Sequence, residues 1–352
     1  MTNQHMSLGL LVTALLFFGG GHSDAASWRI NNNANRHAHF TDINAAMSSS
    51  DVHDGDTLYI DPGCTLTSAQ TISKSITVIG CGYGGENRSY GDAIIKAQIN
   101  ITAPNTTIKS MVLSNNGSNS TGTIYLSADN VTIERCLLNT FIQWNGVGRN
   151  FTLRQCISSH TITGAGINSA NSEGCRVVNC IFLVNYTKAI ITALKAPVIR
   201  YCYIRNVYSG TNYPLLSNLS DATITDNIML HVNTPEVLFY NVEGNISHNV
   251  LSCSEGAYSN VTASDNKLLG EADESKIFLM NTDDDYRFQL CDDSPAKGYA
   301  VDGGDCGPFS GSYPFVVWGY PLGIPHFNTS HANTLAKDGK VSFTNEVTIQ
   351  KQ

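Results

Sequence analysis

The sequence predicts an all-β solenoid built from stacked parallel coils, and three observations lead to that fold class. A seven-residue segment that ends in cysteine recurs four times, closing at Cys136, Cys156, Cys180 and Cys202. These cysteines are 20, 24 and 22 residues apart, a period typical of solenoid coils. Within each segment apolar and polar residues alternate with period two, which indicates a half-buried β-strand. Charged residues make up only 14% of the 352 residues, which disfavours long surface helices.

The N-terminal residues predict an export signal followed by a small helical lid. The apolar run from Leu8 to Phe18 precedes a small-residue stretch, so residues 1–25 are predicted to be a signal peptide cleaved after Ala25. The run is too short to span a bilayer, so no transmembrane segment is expected; a buried terminal strand or helix is the alternative. Capping residues before a short apolar periodicity predict a helix over Thr41–Ser48, which would cover one end of the solenoid.

The register of nine coils can be written directly from the sequence. The residues that close each segment are Cys81, Met111, Cys136, Cys156, Cys180, Cys202, Asn227, Asn249 and Asn266. The residues three positions earlier are apolar and therefore predicted to face inward: Val78, Ile108, Ile133, Leu153, Val177, Ile199, Ile224, Ile246 and Ala263. The residues four positions earlier are mostly threonine and are predicted to face outward. The repeated cysteines are therefore expected to be stacked core thiols, and Cys291 and Cys306 are the better disulfide candidates.

The pattern Val-Thr-Ile-x-x-Asn-x-Ile resembles the repeat of right-handed parallel β-helix proteins, the pectate-lyase-like superfamily. In that family an asparagine at the closing position stacks as an internal ladder; Asn227, Asn249 and Asn266 match it, while cysteine replaces it in the central coils. The resemblance covers roughly residues 50 to 310. It implies a single-stranded right-handed parallel β-helix with an N-terminal helical cap over residues 26–310. Residues 311–352 are then a C-terminal extension, either a cap hairpin or a sorting or docking element.

The resemblance also implies that the functional surface lies on the first strand of each coil. The outward residues expected at the centres of those strands are Asn100, Tyr125, Gln143, Asn168, Ile191, Leu216 and Phe239. None of them is a carboxylate. Glycoside hydrolysis needs two carboxylates at a defined separation, so the sequence disfavours a hydrolase.

The loops that lead into those strands contain the candidate site residues. By resemblance to β-helix polysaccharide lyases, Lys188 and Arg205 are the candidate catalytic pair, one cation taking the proton beside a uronate carboxylate that the other neutralises. Candidate substrate-binding residues are His160, Tyr186, Tyr208, Tyr213, His231 and Glu236. The alternative is that all eight are ordinary solvated loop residues.

The favoured function is engagement of an extracellular polysaccharide or cell-surface glycan by a secreted β-helix protein. The alternatives are a uronate-polysaccharide lyase that works by β-elimination and a structural surface or adhesion protein. Whether the protein is an enzyme is left open, with a lyase favoured over a hydrolase. No cofactor or metal is predicted. The acidic run Asn281–Asp285 has carboxylates at alternate positions, so calcium is the alternative, but the run lacks the glycine and distal glutamate of a calcium loop. The net charge of −8 gives no basic footprint, so nucleic acid is not expected as a partner.

Overall fold

The computed structural model describes most of the chain, as short β-strands joined by turns and irregular segments. The described residues are 25–84, 91–114, 123–146, 148–158, 162–163, 172–185, 187–208, 213–235, 237–254, 263–280, 285–321, 326–332 and 343–348. The predicted signal peptide lies outside these ranges except for its last residue. Of the helices within them, none has the length and apolar character needed to span a bilayer.

Most coils contribute three strands to two parallel sheets, which confirms the predicted all-β parallel β-helix. Sheet A has 17 strands and contains the first and second strands of the coils. Its first strands are Gln70–Ile72, Ile99–Ile101, Thr123–Leu126, Phe141–Trp144, Ile162–Thr163 and Ile191–Lys195. Its second strands are Ser27–Ile30, Thr57–Ile60, Thr77–Ile79, Thr107–Lys109, Thr132–Glu134, Thr152–Arg154, Arg176–Val178, Val198–Arg200 and Ala263–Ser264. In two late coils a single strand serves as both: Leu216–Thr225 and Phe239–Ser247.

Sheet B contains the ten third strands of the coils. They are Thr65–Leu66, Ile94–Lys96, Val112–Ser114, Leu137–Asn139, Ile157–Ser158, Ile181–Val184, Tyr203–Asn206, Ile228–His231, Val250–Leu251 and Lys267–Leu268. The α-helix Ile43–Ser48 starts with Asp42 as its N-cap and packs against the first strand at Gln70, whose side-chain oxygen accepts from the Ile43 N–H at 3.0 Å. Short 3₁₀ helices occur at Ala34–Arg36, Glu274–Lys276, Asp285–Phe288 and Val317–Gly319. Near the C-terminus, His326–Ala332 pairs with Phe343–Thr348 as an antiparallel hairpin.

The register predicted for the second strands is confirmed. Thr132 pairs with Thr107 on one side and Thr152 on the other, and Ile133 pairs with Ile108 and Leu153 in the same strands. The isoleucine and leucine of that column are fully buried, whereas the threonines are partly exposed. Alternation with period two therefore assigns the faces of these strands correctly.

The outward positions predicted for three first strands are wrong by one residue. Ile191 and Leu216 are fully buried, and the backbone partners that continue the outward column are Thr192, Ser217 and Tyr240. A shift of one residue moves every side chain of a strand to the opposite face. Asn100, Tyr125 and Gln143 do pair in one column, as expected, whereas Asn168 lies outside the described residues.

An internal ladder of asparagine and cysteine joins the coils at the closing position. Asn227 Nδ2 donates to Asn249 Oδ1 at 2.9 Å, and Asn249 Nδ2 donates to Asn266 Oδ1 at 2.9 Å. The cysteines before them pack in the same column: Cys180 Sγ, for example, lies 3.3 Å from the Val178 carbonyl oxygen. The asparagine end of the ladder is thus held by a hydrogen-bond network and the cysteine end by packing.

All ten cysteines are unbridged, so the predicted stacked thiols are confirmed and the disulfide expected between Cys291 and Cys306 is wrong. The Cys306 thiol faces the His248 carbonyl at 3.3 Å, whereas the Cys291 thiol faces the Lys276 carbonyl at 3.5 Å. The two sulfur atoms therefore have different backbone partners.

Thiol labelling of the native protein should distinguish the buried cysteines from the two half-buried ones. Cys81 and Cys291 are half-buried and the other eight are buried, so we expect two thiols to react quickly and eight only after denaturation. Burial also raises the pKa of the Cys175 thiol to about 12, which removes the reactive thiolate. Titration with a chromogenic disulfide reagent, with and without denaturant, gives the count. Rapid reaction of all ten native thiols would contradict a packed cysteine ladder.

The C-terminal residues cover the outer face of sheet B. That face presents a column of apolar side chains, including the fully buried Ile181, Tyr203 and Ile228, and Phe278 and Phe288 pack in the same cluster. Tyr203 and Phe278 have ring centroids 4.6 Å apart. The middle strands of sheet B are therefore buried on both faces, as their nearly continuous apolar sequences require.

Residues 301–319, which we name the strap, run back along the coils beside the turns that precede the ladder. The Val301 N–H donates to Asp226 Oδ1 at 2.7 Å, Asn179 Nδ2 donates to the Pro308 carbonyl at 2.8 Å, and Gln155 Nε2 donates to the Pro314 carbonyl at 2.6 Å. The three side chains come from left-handed turn residues, with φ of 63°, 53° and 53°. The strap crosses the domain boundary predicted at residues 310/311 without a change in the surface that it contacts.

Candidate functional site

The outer face of sheet A is the candidate functional surface, because the C-terminal residues cover sheet B. On the first strands, one column of residues lies at outward register positions and is uncharged throughout. We name it the polar row: Thr71, Asn100, Tyr125, Gln143, Thr163, Thr192, Ser217 and Tyr240. The row contains no carboxylate after correction of the register.

The polar row offers hydroxyl and amide groups together with two tyrosine rings. Asn100 Oδ1 accepts from Gln98 Nε2 at 2.8 Å, and the hydroxyls of Thr192 and Ser217 are 2.7 Å apart. Tyr240 is the most exposed large side chain in the row, at 66%. Eight coils at about 4.8 Å per step make the row about 34 Å long. A rigid sheet therefore presents a long series of neutral hydrogen-bonding groups.

The structure places Lys188 and Arg205 in different surroundings. Lys188 is exposed in the turn that leads into the first strand Ile191–Lys195. Arg205 lies on sheet B, with Nε 3.1 Å from Glu274 Oε2 but without the alignment of a hydrogen bond. Glu274 also accepts from the Tyr203 hydroxyl, so Arg205 belongs to the contact between sheet B and the C-terminal cover. That Lys188 and Arg205 act as a catalytic pair remains a prediction.

Three of the predicted binding residues meet at one end of sheet B. The rings of Tyr208 and Tyr213 contact edge-to-face with centroids 5.6 Å apart, and both are half-buried. His231 is fully buried; its Nδ1 is 2.9 Å from the Thr234 hydroxyl. Burial lowers the pKa of His231, and a hydrogen bond to the Tyr213 backbone only partly offsets this, so the imidazole is neutral at pH 7. The histidine therefore supports the tyrosines from within and is not itself exposed to a ligand.

Other predicted residues lie outside the described part of the chain. They are His160, Tyr186 and Glu236, together with residues 281–284 of the acidic run. Among the described residues, no group of three or more His, Cys, Asp and Glu side chains is arranged to hold a metal ion. A cavity of about 590 Å³ lies at the C-terminal end of the coils. It is lined by residues of the closing segment, the name we give to residues 269–280 and 285–300, and these include Glu271, Asp273 and Lys276.

Sequence reasoning missed a cluster of charges on the second strands. Lys109, Glu134 and Arg154 occupy the same register position on three successive coils, and Arg135 follows Glu134. Burial raises the pKa of the Glu134 carboxyl, but the charges of Arg135 and Arg154 outweigh burial and hold that pKa below its usual value. The only signal in the sequence was a charged residue two positions after each outward threonine.

Stacked parallel coils joined by an asparagine ladder define a parallel β-helix. No family model and no curated protein matches the chain. Among solved structures it is similar to a pectate lyase, at 14% identity over 83% of this chain and 98% of that chain, with a TM-score of 0.49.

Two further solved structures show weaker similarity. A GH136 lacto-N-biosidase from Eubacterium ramulus is 10% identical over 68% of this chain, with a TM-score of 0.44; the chain spans 60% of that protein's length. A pectin methylesterase from Erwinia chrysanthemi is 13% identical over 70% of this chain and 90% of that chain, with a TM-score of 0.37.

Proposed function

We propose that the protein is exported and engages an extracellular polysaccharide along the polar row. The observation that carries the proposal is the row itself, a rigid series of neutral hydroxyl and amide groups about 34 Å long. A polysaccharide presents a hydroxyl-rich chain that can donate to and accept from such groups. The exposed ring of Tyr240 and the half-buried ring of Tyr125 add apolar faces on which sugar rings can stack.

Binding is favoured over catalysis because the row has no carboxylate, histidine, lysine or arginine side chain. A lyase needs a basic residue positioned for proton transfer beside a second cation. Of the two candidate cations, Arg205 is ion-paired with Glu274 on sheet B. The lyase alternative therefore depends on Lys188, which lies in an exposed turn.

Truncation of the row tyrosines is expected to weaken polysaccharide binding without unfolding the protein. Because a stacked aromatic contributes about 1.4 kcal/mol, Tyr240→Ala should weaken binding about tenfold. The measurement is affinity electrophoresis or calorimetry with the best ligand from a glycan array. Tyr125→Ala is the second variant, because Tyr125 is the other tyrosine of the row and lies on its third coil.

Tyr286→Ala is the matched control, because Tyr286 is 40% exposed but lies in the closing segment rather than on the row. An unchanged affinity in both row variants, or an equal loss in the control, would count against the row. To test the lyase alternative, the same protein samples are incubated with acidic polysaccharides, and the absorbance of unsaturated products is followed. Product formation that disappears in Lys188→Ala would replace the binding proposal with the lyase.

A further inference from the structure

The cationic cluster consists of Lys109, Arg135 and Arg154 around the carboxylate of Glu134. Glu134 is buried, with a side chain only 3% exposed, and it pairs with Arg135 and with both Nε and an Nη of Arg154. Lys109 Nζ is farther away, at 4.0 Å from Glu134 Oε1. The register places Lys109 and Arg154 one coil on either side of Glu134, so the three side chains form a short line across the sheet.

The cluster has more positive than negative charge. Three cations surround one carboxylate, which leaves a local charge of 3 − 1 = +2 on a chain whose net charge is −8. The side chains of Lys109 and Arg154 are 26% and 32% exposed, while Glu134 lies beneath them. An anion approaching from solvent therefore meets the two cations before it meets the carboxylate.

The cluster also has unused hydrogen-bond donors. Among the described residues, none accepts a hydrogen bond from Lys109 Nζ, which lies 4.0 Å from Glu134 Oε1. Arg154 has five N–H groups and directs only part of its guanidinium at Glu134. Arg135 Nε is buried without a partner. A buried or half-buried donor without an acceptor is costly, and a bound oxyanion would supply the acceptors.

We propose that this cluster is a binding site for a tetrahedral oxyanion of the sulfate or phosphate class. The local charge of +2 matches a dianion, and the planar arginine fork fits two oxygens of such a group. The Tyr313 ring, with its centroid 5.1 Å from Arg154 Cζ, holds the guanidinium in place from the strap side. The site is on the second strands and is separate from the polar row. It goes beyond the proposed function, because it would recognise a charged group where the row recognises neutral ones.

Calorimetric titration of the full chain with inorganic sulfate at constant ionic strength, with chloride as the background anion, tests the site. We expect saturable binding that Lys109→Gln weakens by about tenfold or more, because it removes one charge-assisted contact. Lys109→Met keeps the apolar stem and should give the same loss if the glutamine variant folds poorly. Glu134→Gln should instead tighten binding, because it raises the local charge from +2 to +3.

Lys195→Gln is the matched control, since Lys195 lies on the same sheet but is paired one-to-one with Glu173 at 3.4 Å. The proposal is overturned if sulfate gives no saturable signal, if Lys195→Gln loses as much affinity as Lys109→Gln, or if Glu134→Gln weakens binding.

A sulfated oligosaccharide and its desulfated form distinguish the source of the anion. Tighter binding of the sulfated form, lost in Lys109→Gln, identifies an ester on a polymer; equal binding of free sulfate identifies a soluble anion. Tyr240→Ala leaves sulfate binding unchanged in either case, so failure of the polar row and failure of this site are separable.

Discussion

Asp226→Ala is expected to lower the free energy of unfolding by about 2 to 6 kcal/mol and to release the strap, because it leaves two hydrogen-bond donors without their acceptor at about 1 to 3 kcal/mol each. Asp226 is fully buried. Its carboxylate accepts from the Val301 N–H at 2.7 Å and from the Thr225 hydroxyl at 3.1 Å, and it pairs with Arg200. Its carbonyl accepts from the Gly307 N–H at 2.9 Å. Urea denaturation gives the energy, and limited proteolysis within residues 301–319 reports release of the strap.

Asp221→Ala is the control, because Asp221 has a similar left-handed backbone, with φ of 54° against 63°, but is exposed. Placing alanine in that conformation costs roughly 1 to 2 kcal/mol at either position. The difference between the two variants therefore isolates the buried contacts. Equal losses of stability, or a strap that stays protease-resistant in Asp226→Ala, would show that Asp226 does not anchor it.

Asn249→Ala is expected to cost about 3 to 5 kcal/mol, because each buried polar group left without a partner costs about 1 to 3 kcal/mol. Asn249 is fully buried in the middle of the asparagine ladder. Its Oδ1 accepts from both the backbone N–H and the side chain of Asn227, and its Nδ2 donates to the Ile224 carbonyl at 2.8 Å and to Asn266. Alanine would leave donors and acceptors unpaired on both neighbouring coils. Thermal or urea denaturation of the variant measures the loss.

Cys180→Ala is the matched control from the other half of the same ladder. Its sulfur is buried and contacts the carbonyls of Val178 and Leu153, at 3.3 and 3.6 Å, and the neighbouring Cys156 and Cys202. We expect a cost of about 1 to 2 kcal/mol, because the change leaves a small cavity and no strong donor unpaired. A cost as large as that of Asn249→Ala would mean that the cysteine half of the ladder is held by hydrogen bonds rather than by packing.

The second strands were predictable because a landmark follows each of them at a constant distance. The ladder residue closes the turn three positions after the inward apolar residue, as Cys136 does after Ile133, so the repeat itself sets the register. The first strands have no such landmark. In the strand at Ile191 the preceding Ile190 is also fully buried, and Leu215 and Leu216 are both buried in the next coil. Two adjacent apolar residues erase the alternation, and the prediction slipped by one position there.

The charged cluster was not predictable in the same way. Lys109, Glu134 and Arg154 are 25 and 20 residues apart in sequence, and each looks like a single outward residue of its own strand. Only the parallel register brings them together, and only the burial of Glu134 makes their charges act on each other strongly. Lys188 carries the same positive charge as Lys109, but it lies in an exposed turn rather than beside a buried carboxylate.

The sequence by itself determined the coil, its inward and outward faces on the second strands, and the role of the repeated cysteines as core. These features depend on alternation and on a repeat, which are local properties of the chain. Only the tertiary structure decided that the described residues after the last coil pack over sheet B, which leaves the outer face of sheet A as the candidate surface. That choice depends on contacts such as Asn179 with Pro308, 129 residues apart, which no local pattern encodes. The strap reaches the edge of that face, where the Tyr313 ring packs on Arg154 of the cationic cluster.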